Sequence, residues 1–425
     1  MIMKKNIVFL FSILLVLSVA SSNHCLAEDE ITVPISSDID INVEHFPATG
    51  KYLLLWLAPE YGWRPGHRSL SRRLSEQNIE VWLTNLLESL FLPQSSQAIK
   101  QLDGNYVADL IEYAHKKTGK KIIVAGDSYA AISALMGARQ WQQRKQNEHY
   151  LIGAVLFSPY TYAYIPSLGL APEYMPIVSA TNIPIMIYQT EKSGTTGQFK
   201  VLLEKLQQHD NPVYVKFIPD VMSLFYNKKA TPELNNTIKD IPGNIKKMIS
   251  VLEKHEFPSE AIALKDFNIN ESGIDVYLKE FKGNKTPLAI NLQDVNGNTV
   301  SKDDYKGKIT VVNFWATWCP PCVQEIPSLN RLKMKMSDFP FELISINYAE
   351  DSQTILDFMK EVNVEFPVLL DPEGNFAKQW QVITYPSTFV IDTQGKIKYG
   401  VNAAIEWDDP EFIEKIKSLY KTAIK

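Results

Sequence analysis

Two thiols separated by two residues stand in Trp318-Cys319-Pro320-Pro321-Cys322. That spacing lets the pair close a small disulfide ring. The apolar run Val311-Val312-Asn313-Phe314-Trp315 precedes it and predicts a strand. A helical pattern follows. A thiol at a helix start faces N–H groups that the first turn leaves unpaired. Those groups and the helix dipole favour thiolate over thiol. Thiolate is the attacking species in thiol–disulfide exchange. The residues therefore read as a redox pair, with Cys319 the exposed nucleophile and Cys322, one turn in and more buried, the thiol that resolves the mixed disulfide. Pro320 and Pro321 lack N–H donors and stiffen the turn. A structural bridge and half of a metal site are the other uses of such a pair. A metal site needs more ligands, and no His or Cys follows Cys322. The expectation is no metal and no cofactor beyond the redox-active disulfide Cys319–Cys322.

The elements around the pair form a unit over residues 284–425. A hairpin with an Asn296-Gly297 turn is expected near 288–300. Strands are expected at 309–314, 341–347, 389–392 and 396–399, and helices at 327–336, 352–362 and 409–420. In this unit, Val311-Val312-Asn313-Phe314-Trp315-Ala316-Thr317-Trp318-Cys319-Pro320-Pro321-Cys322, followed by Glu325-Ile326-Pro327, resembles the TlpA/ResA-like thiol–disulfide oxidoreductases of the thioredoxin superfamily. Tyr385-Pro386-Ser387-Thr388-Phe389-Val390-Ile391-Asp392 matches that superfamily's cis-proline segment. The resemblance implies a thioredoxin-like domain. It implies that Cys319 attacks and Cys322 resolves, that Glu325 tunes thiol protonation, and that Tyr385 and Pro386 lie where substrate backbone pairs. Trp318 is expected to shield Cys319 and offer a flat docking surface. Asn313 stands where cytosolic thioredoxins carry a buried Asp, which leaves Glu325 as the proton handler. Implied partners are client proteins with disulfides and a membrane thiol electron donor. The reductive direction rests on the resemblance, not on the spacing.

Upstream, residues 28–256 alternate apolar runs at 52–57, 79–84, 121–125, 151–157, 183–188 and 213–218 with amphipathic stretches at 69–77, 104–118, 130–142 and 199–209. The stretch 232–252 reads as a closing helix. Such alternation predicts an α/β domain with a mostly parallel sheet covered on both faces. Residues 257–283 read as a connector. Gly126-Asp127-Ser128-Tyr129-Ala130, between an expected strand and helix, is a G-x-S-x-A variant of the nucleophile elbow. The domain thus resembles an α/β-hydrolase, with Trp56-Leu57-Ala58-Pro59-Glu60-Tyr61-Gly62 at the oxyanion side. The triad is incomplete. Glu191 is the acid candidate, but no His follows the run ending at Ile218; His209 precedes that run and His255 lies beyond the closing helix. His67 reaches Ser128 only by an unusual arrangement. A serine without a positioned base is a poor nucleophile. The domain therefore reads as an inactive, client-binding relative of hydrolases, with Ser128 a possible degenerate site. The alternative is a serine esterase-like hydrolase with an accessory redox domain.

The 425 residues contain 43 Lys+Arg against 48 Asp+Glu, and this acidic balance argues against nucleic acid as a partner. Only three Cys occur, too few for a disulfide scaffold. Lys4 and Lys5, an apolar run over 7–20, small residues and Ala27 compose a secretory signal, expected to be cut after residue 27. The run is short for a membrane span, and the residues before Cys25 fit a lipidated cysteine poorly. The expected location is periplasmic or secreted, with an N-terminal membrane anchor as the alternative.

Overall fold

The structure is a computed structural model that describes residues 29–36, 39–145, 148–219, 221–222, 224–225, 232–267 and 277–422. The expected signal segment and Cys25 lie outside the described residues.

The first half is one eight-stranded sheet: β1 Asp29–Ser36, β2 Ile39–Phe46, β3 Tyr52–Leu57, β4 Ile79–Thr84, β5 Lys121–Asp127, β6 Leu151–Phe157, β7 Ile185–Thr190 and β8 Val213–Ile218, in the order β1-β2-β4-β3-β5-β6-β7-β8. β1 and β2 are antiparallel and the remaining pairs from β4 to β8 are parallel. Alternate residues feed opposite faces, as the strand period requires. Leu53, Leu55, Ile122 and Val124 pack on the side of the helices Gly104–Thr118 and Ala130–Arg144. Leu54, Trp56, Ile123 and Ala125 pack on the side of the helices Pro65–Glu76 and Pro232–Leu252. Burial on both faces explains the continuous apolar runs of β3 and β6, while β4 buries Glu80 and Thr84 and β7 buries Gln189 and Thr190 among apolar neighbours. The β1–β2 ribbon at the sheet's edge was not among the expected strands. β2 alternates exposed and buried residues, and mixes charge with apolar side chains.

The second half is a six-stranded sheet built from β9 Lys279–Glu280, β12 Ile309–Trp315, β13 Phe341–Tyr348, β14 Val368–Asp371, β15 Ser387–Ile391 and β16 Ile397–Val401, in the order β14-β13-β12-β15-β16-β9. The expected hairpin forms as β10 Asn291–Gln293 and β11 Thr299–Ser301. The Asp294 carboxylate accepts from the Asn296 and Asn298 amides in its turn, and Gly297 takes φ +85°. β12 pairs parallel to β13 and antiparallel to β15. The helix expected from residue 327 runs instead over Pro320–Lys335. Pro320 and Pro321 sit in its first turn, where the missing N–H groups would be unpaired anyway, and Pro327 lies inside it. β14 was not expected, because four residues are too few to show a period. β9, within the segment expected as a connector, adds to the edge of this sheet beside β16.

The two sheets share an interface. Tyr160 Oη donates to the Ile383 carbonyl at 3.0 Å, Tyr348 Oη to the Lys192 carbonyl at 2.6 Å, and Asn402 Nδ2 to the Pro166 carbonyl at 2.7 Å. Ile383 is buried in the first half's core, and Leu168 in the second half's core.

Candidate functional site

Cys319 is the N-cap of the helix Pro320–Lys335, in extended conformation at φ −97° and ψ 101°. Its sulfur is bonded to Cys322 Sγ, with the Cα atoms 5.3 Å apart. It also accepts from the Cys322 amide at 3.3 Å, one of the first-turn donors left free by the helix geometry. Cys319 Sγ thus lies at the helix N-terminus, within reach of a first-turn amide. The expectation that Cys319 is exposed is corrected: it is only 4% exposed and Cys322 is fully buried. Both belong to an apolar cluster on which Trp318 and Tyr385 pack. Trp318 is half-buried and meets the Tyr385 ring edge-on at 5.9 Å, while Tyr385 stacks on Tyr348 at 4.6 Å. The Tyr385–Pro386 peptide bond is cis, and Pro386 is buried at the entry to β15.

Glu325 lies in the second turn of the same helix and points inward, 2% exposed. It accepts from Asn313 Nδ2 at 2.7 Å and from Trp407 Nε1 at 3.1 Å. Burial raises its carboxyl to about 8, against the pull of these donors. Asn313 also donates to Thr388 Oγ1 at 2.9 Å. One amide therefore links the buried acid to the strand that follows Pro386. Asn313, at the centre of β12, and Thr388, directly opposite it on β15, are brought together by strand register.

A second acid was not anticipated. Glu350 accepts from the Thr317 amide at 2.8 Å, from Thr317 Oγ1 at 2.5 Å and from Asn347 Nδ2 at 2.9 Å, and burial raises its pKa. It holds the backbone two residues before Cys319. Its distance of 33 residues from Thr317 left no local signal, and Trp407 on Glu325 was equally invisible. Among the described residues no cluster of three His, Cys, Asp or Glu side chains could hold a metal ion.

In the first half, Ser128 stands in a turn between β5 and the helix Ala130–Arg144 with φ +54°. Gly126 is required there: a Cβ would fall 2.5 Å from the Ala130 backbone. The expected triad partners are elsewhere. Glu191 is exposed and gives its carbonyl to Lys378 Nζ. His209 pairs with the Ser179 carbonyl and His255 with Tyr214 Oη. His67 lies in the first turn of the helix Pro65–Glu76. Its Nε2 meets Asp127 Oδ2 at 3.2 Å, and Nδ1 accepts from the Arg64 amide. The neighbour of Ser128 Oγ is Glu60 Oε1, to which it donates at 3.1 Å.

Residues 265–400 match the model of the AhpC/TSA family, so this region carries a thioredoxin-like domain of that kind. Thiol-disulfide oxidoreductase ResA of Bacillus subtilis (strain 168) is 35% identical over 106 residues, covering 25% of this chain and 59% of that protein. ResA of Geobacillus kaustophilus (strain HTA426) is 29% identical over 153 residues, covering 34% of this chain and 87% of that protein. The chain spans 60% of the length of the ResA proteins of Bacillus thuringiensis subsp. konkukian (strain 97-27) and Bacillus cereus (strain ATCC 10987 / NRS 248). Among solved structures, StoA from Bacillus subtilis is 26% identical, with 32% of this chain and 98% of that chain covered at a TM-score of 0.26.

Proposed function

We propose that this chain is a thiol–disulfide oxidoreductase that reduces disulfides of client proteins through Cys319 and Cys322. The observation that carries the reading is the Cys319–Cys322 bridge at a helix N-terminus, with the buried acid Glu325 in the second turn of the same helix. In the reduced protein the Cys319 thiolate attacks one sulfur of a client disulfide and releases the other as thiolate. Cys322 loses its proton and attacks Cys319 Sγ, which frees the client as a dithiol and restores the Cys319–Cys322 bridge. Two electrons pass to the client. Glu325, held up at about 8, exchanges its proton near neutral pH, and in its ionised form it takes the proton that Cys322 loses. Tyr385 and Trp318 pack on the cluster that holds both sulfurs, and Tyr385 and Pro386 receive client backbone. A membrane thiol donor re-reduces the pair. The basic-then-apolar start of the sequence supports an extracytoplasmic location, and among the described residues no helix is long and apolar enough to cross a membrane.

The first half is, in this reading, an α/β-hydrolase-like unit that binds the client. The strand order β1-β2-β4-β3-β5-β6-β7-β8, the Ser128 turn after β5 and the hydrogen bond from Tyr160 to Ile383 beside the Tyr385–Pro386 segment support it. A second reading, an esterase-like hydrolase with an accessory redox domain, draws on the left-handed backbone of Ser128 and on its hydrogen bond to Glu60.

The test is equilibration of the full-length protein with defined thiol–disulfide buffers, together with Cys322→Ala. A reducing potential and clients trapped on Cys319 are expected. A potential near that of strong oxidants reverses the direction, and the absence of any trapped client rejects the redox assignment.

A further inference from the structure

The lack of a histidine at Ser128 does not leave that hydroxyl without a partner. Ser128 Oγ donates to Glu60 Oε1 at 3.1 Å. β3 and β5 are neighbours in the sheet and run parallel, so Glu60, just past the end of β3, and Ser128, just past the end of β5, emerge at the same carboxyl edge. Parallel sheets place their sites at that edge. Ser128 is held in a left-handed turn and is half-buried, not sealed. The second Glu60 oxygen, Oε2, is buried with no hydrogen-bond partner among the described residues. A carboxyl with one oxygen on a strained serine and the other unpaired is an arrangement that structural packing does not require.

We propose that Ser128 and Glu60 are a nucleophile and its general base, forming a second active site that hydrolyses carboxylic esters. Ser128 Oγ adds to the ester carbonyl while its proton passes to Glu60 Oε1. The ester C–O bond then breaks, and the leaving alkoxide takes the proton from Glu60. Water attacks the acyl-serine, gives its proton to Glu60, and the acid leaves as Ser128 recovers that proton.

Burial holds Glu60 up at about 7, and the Asp127 charge adds to this; its own amide, Ser128 and the Tyr129 amide oppose it. Lys100, Tyr61, Tyr129 and Tyr160 also face it. Lys100 is itself lowered to about 8 by burial, against the attraction of Glu60. A base with this acidity ionises near neutral pH, where general-base catalysis is most effective. The site is separate from Cys319 and Cys322, and the proposal does not rest on the redox reading.

The test is labelling of the full-length protein by a fluorophosphonate ester between pH 5.5 and 9, with the adduct mapped by peptide mass and p-nitrophenyl acetate turnover followed in parallel. Labelling at Ser128 is expected. Its rate should rise about tenfold per pH unit below 7 and level off above. Ser128→Ala should abolish labelling, and Glu60→Gln should slow it about 100-fold or more. Both variants should retain disulfide reduction, which reports that the chain has folded; a Cys319→Ser, Cys322→Ser protein should still label. Absence of a Ser128 adduct at every pH overturns the proposal. So does labelling of Glu60→Gln at the wild-type rate. Should that variant fail to fold, a flat wild-type pH profile overturns it equally.

Discussion

Replacing Glu325 by Gln should change the sign of a stability difference between pH 5 and pH 8. The carboxyl is 2% exposed and is raised from 4.5 to about 8, with burial as the main cause. Below pH 4.5 the group is protonated in both the folded and the unfolded chain, and ionisation costs nothing. Between 4.5 and about 8 the unfolded chain releases the proton and the folded chain keeps it, so stability falls by about 1.4 kcal/mol per pH unit. The loss is about 3 kcal/mol at pH 7 and levels off near 5 kcal/mol above pH 8. Gln removes the titration. It also gives up one of the two acceptor oxygens, so that either Asn313 Nδ2 or Trp407 Nε1 loses its partner there, at a pH-independent cost of about 1–2 kcal/mol. Glu325→Gln should therefore be the less stable protein at pH 5 and the more stable one at pH 8. Amide hydrogen exchange of peptides from β12, corrected for the intrinsic pH dependence of exchange, reads the C-terminal unit without interference from the other sheet. Glu350 and Asp371 are also raised by burial, but they are present in both proteins and cancel in the difference. A variant whose protection falls with pH as steeply as the wild type would refute the account of Glu325 as a buried neutral acid.

Asn313→Leu should leave the Glu325 carboxyl with Trp407 as its remaining side-chain donor and Thr388 Oγ1 without its amide. A cost of about 2–4 kcal/mol is expected in chemical denaturation, because a buried acceptor is left unpaired. The carboxyl should move further up, which NMR titration of the labelled side chain checks. Tyr160→Phe should remove the hydrogen bond to the Ile383 carbonyl. Exchange protection of peptides spanning 382–386 should then drop about fivefold, the equivalent of about 1 kcal/mol; unchanged protection would show that this contact does not hold the segment.

How far the sequence could be read depended on the range of the interactions involved. The Cys319–Cys322 ring, the helix behind it and the Asn296-Gly297 turn are set by residues within a few positions of one another, and spacing reveals them. The strands β3 and β6 are legible because burial on both faces demands continuous apolar runs, and β4 and β7 are legible from apolar runs broken only by Glu80 or ended by Thr84, Gln189 and Thr190. The β1–β2 ribbon and the short β14 carry no such run and were missed. At the redox site, motif and resemblance pointed to Glu325 and Pro386 but not to the surroundings that give them their properties. Trp407 comes from 82 positions away to meet Glu325, and Glu350 from 33 positions away to hold Thr317. The burial of Cys319 likewise depends on the packing of Trp318 and Tyr385 over it. At the elbow, the sequence singled out Ser128 and searched for a histidine, whereas the tertiary structure turned His67 to Asp127 and brought Glu60 to the serine across 68 positions. Local spacing determines which groups are candidates for chemistry. Desolvation and partner choice determine their acidity, and those arise only when distant segments close over a site and exclude water.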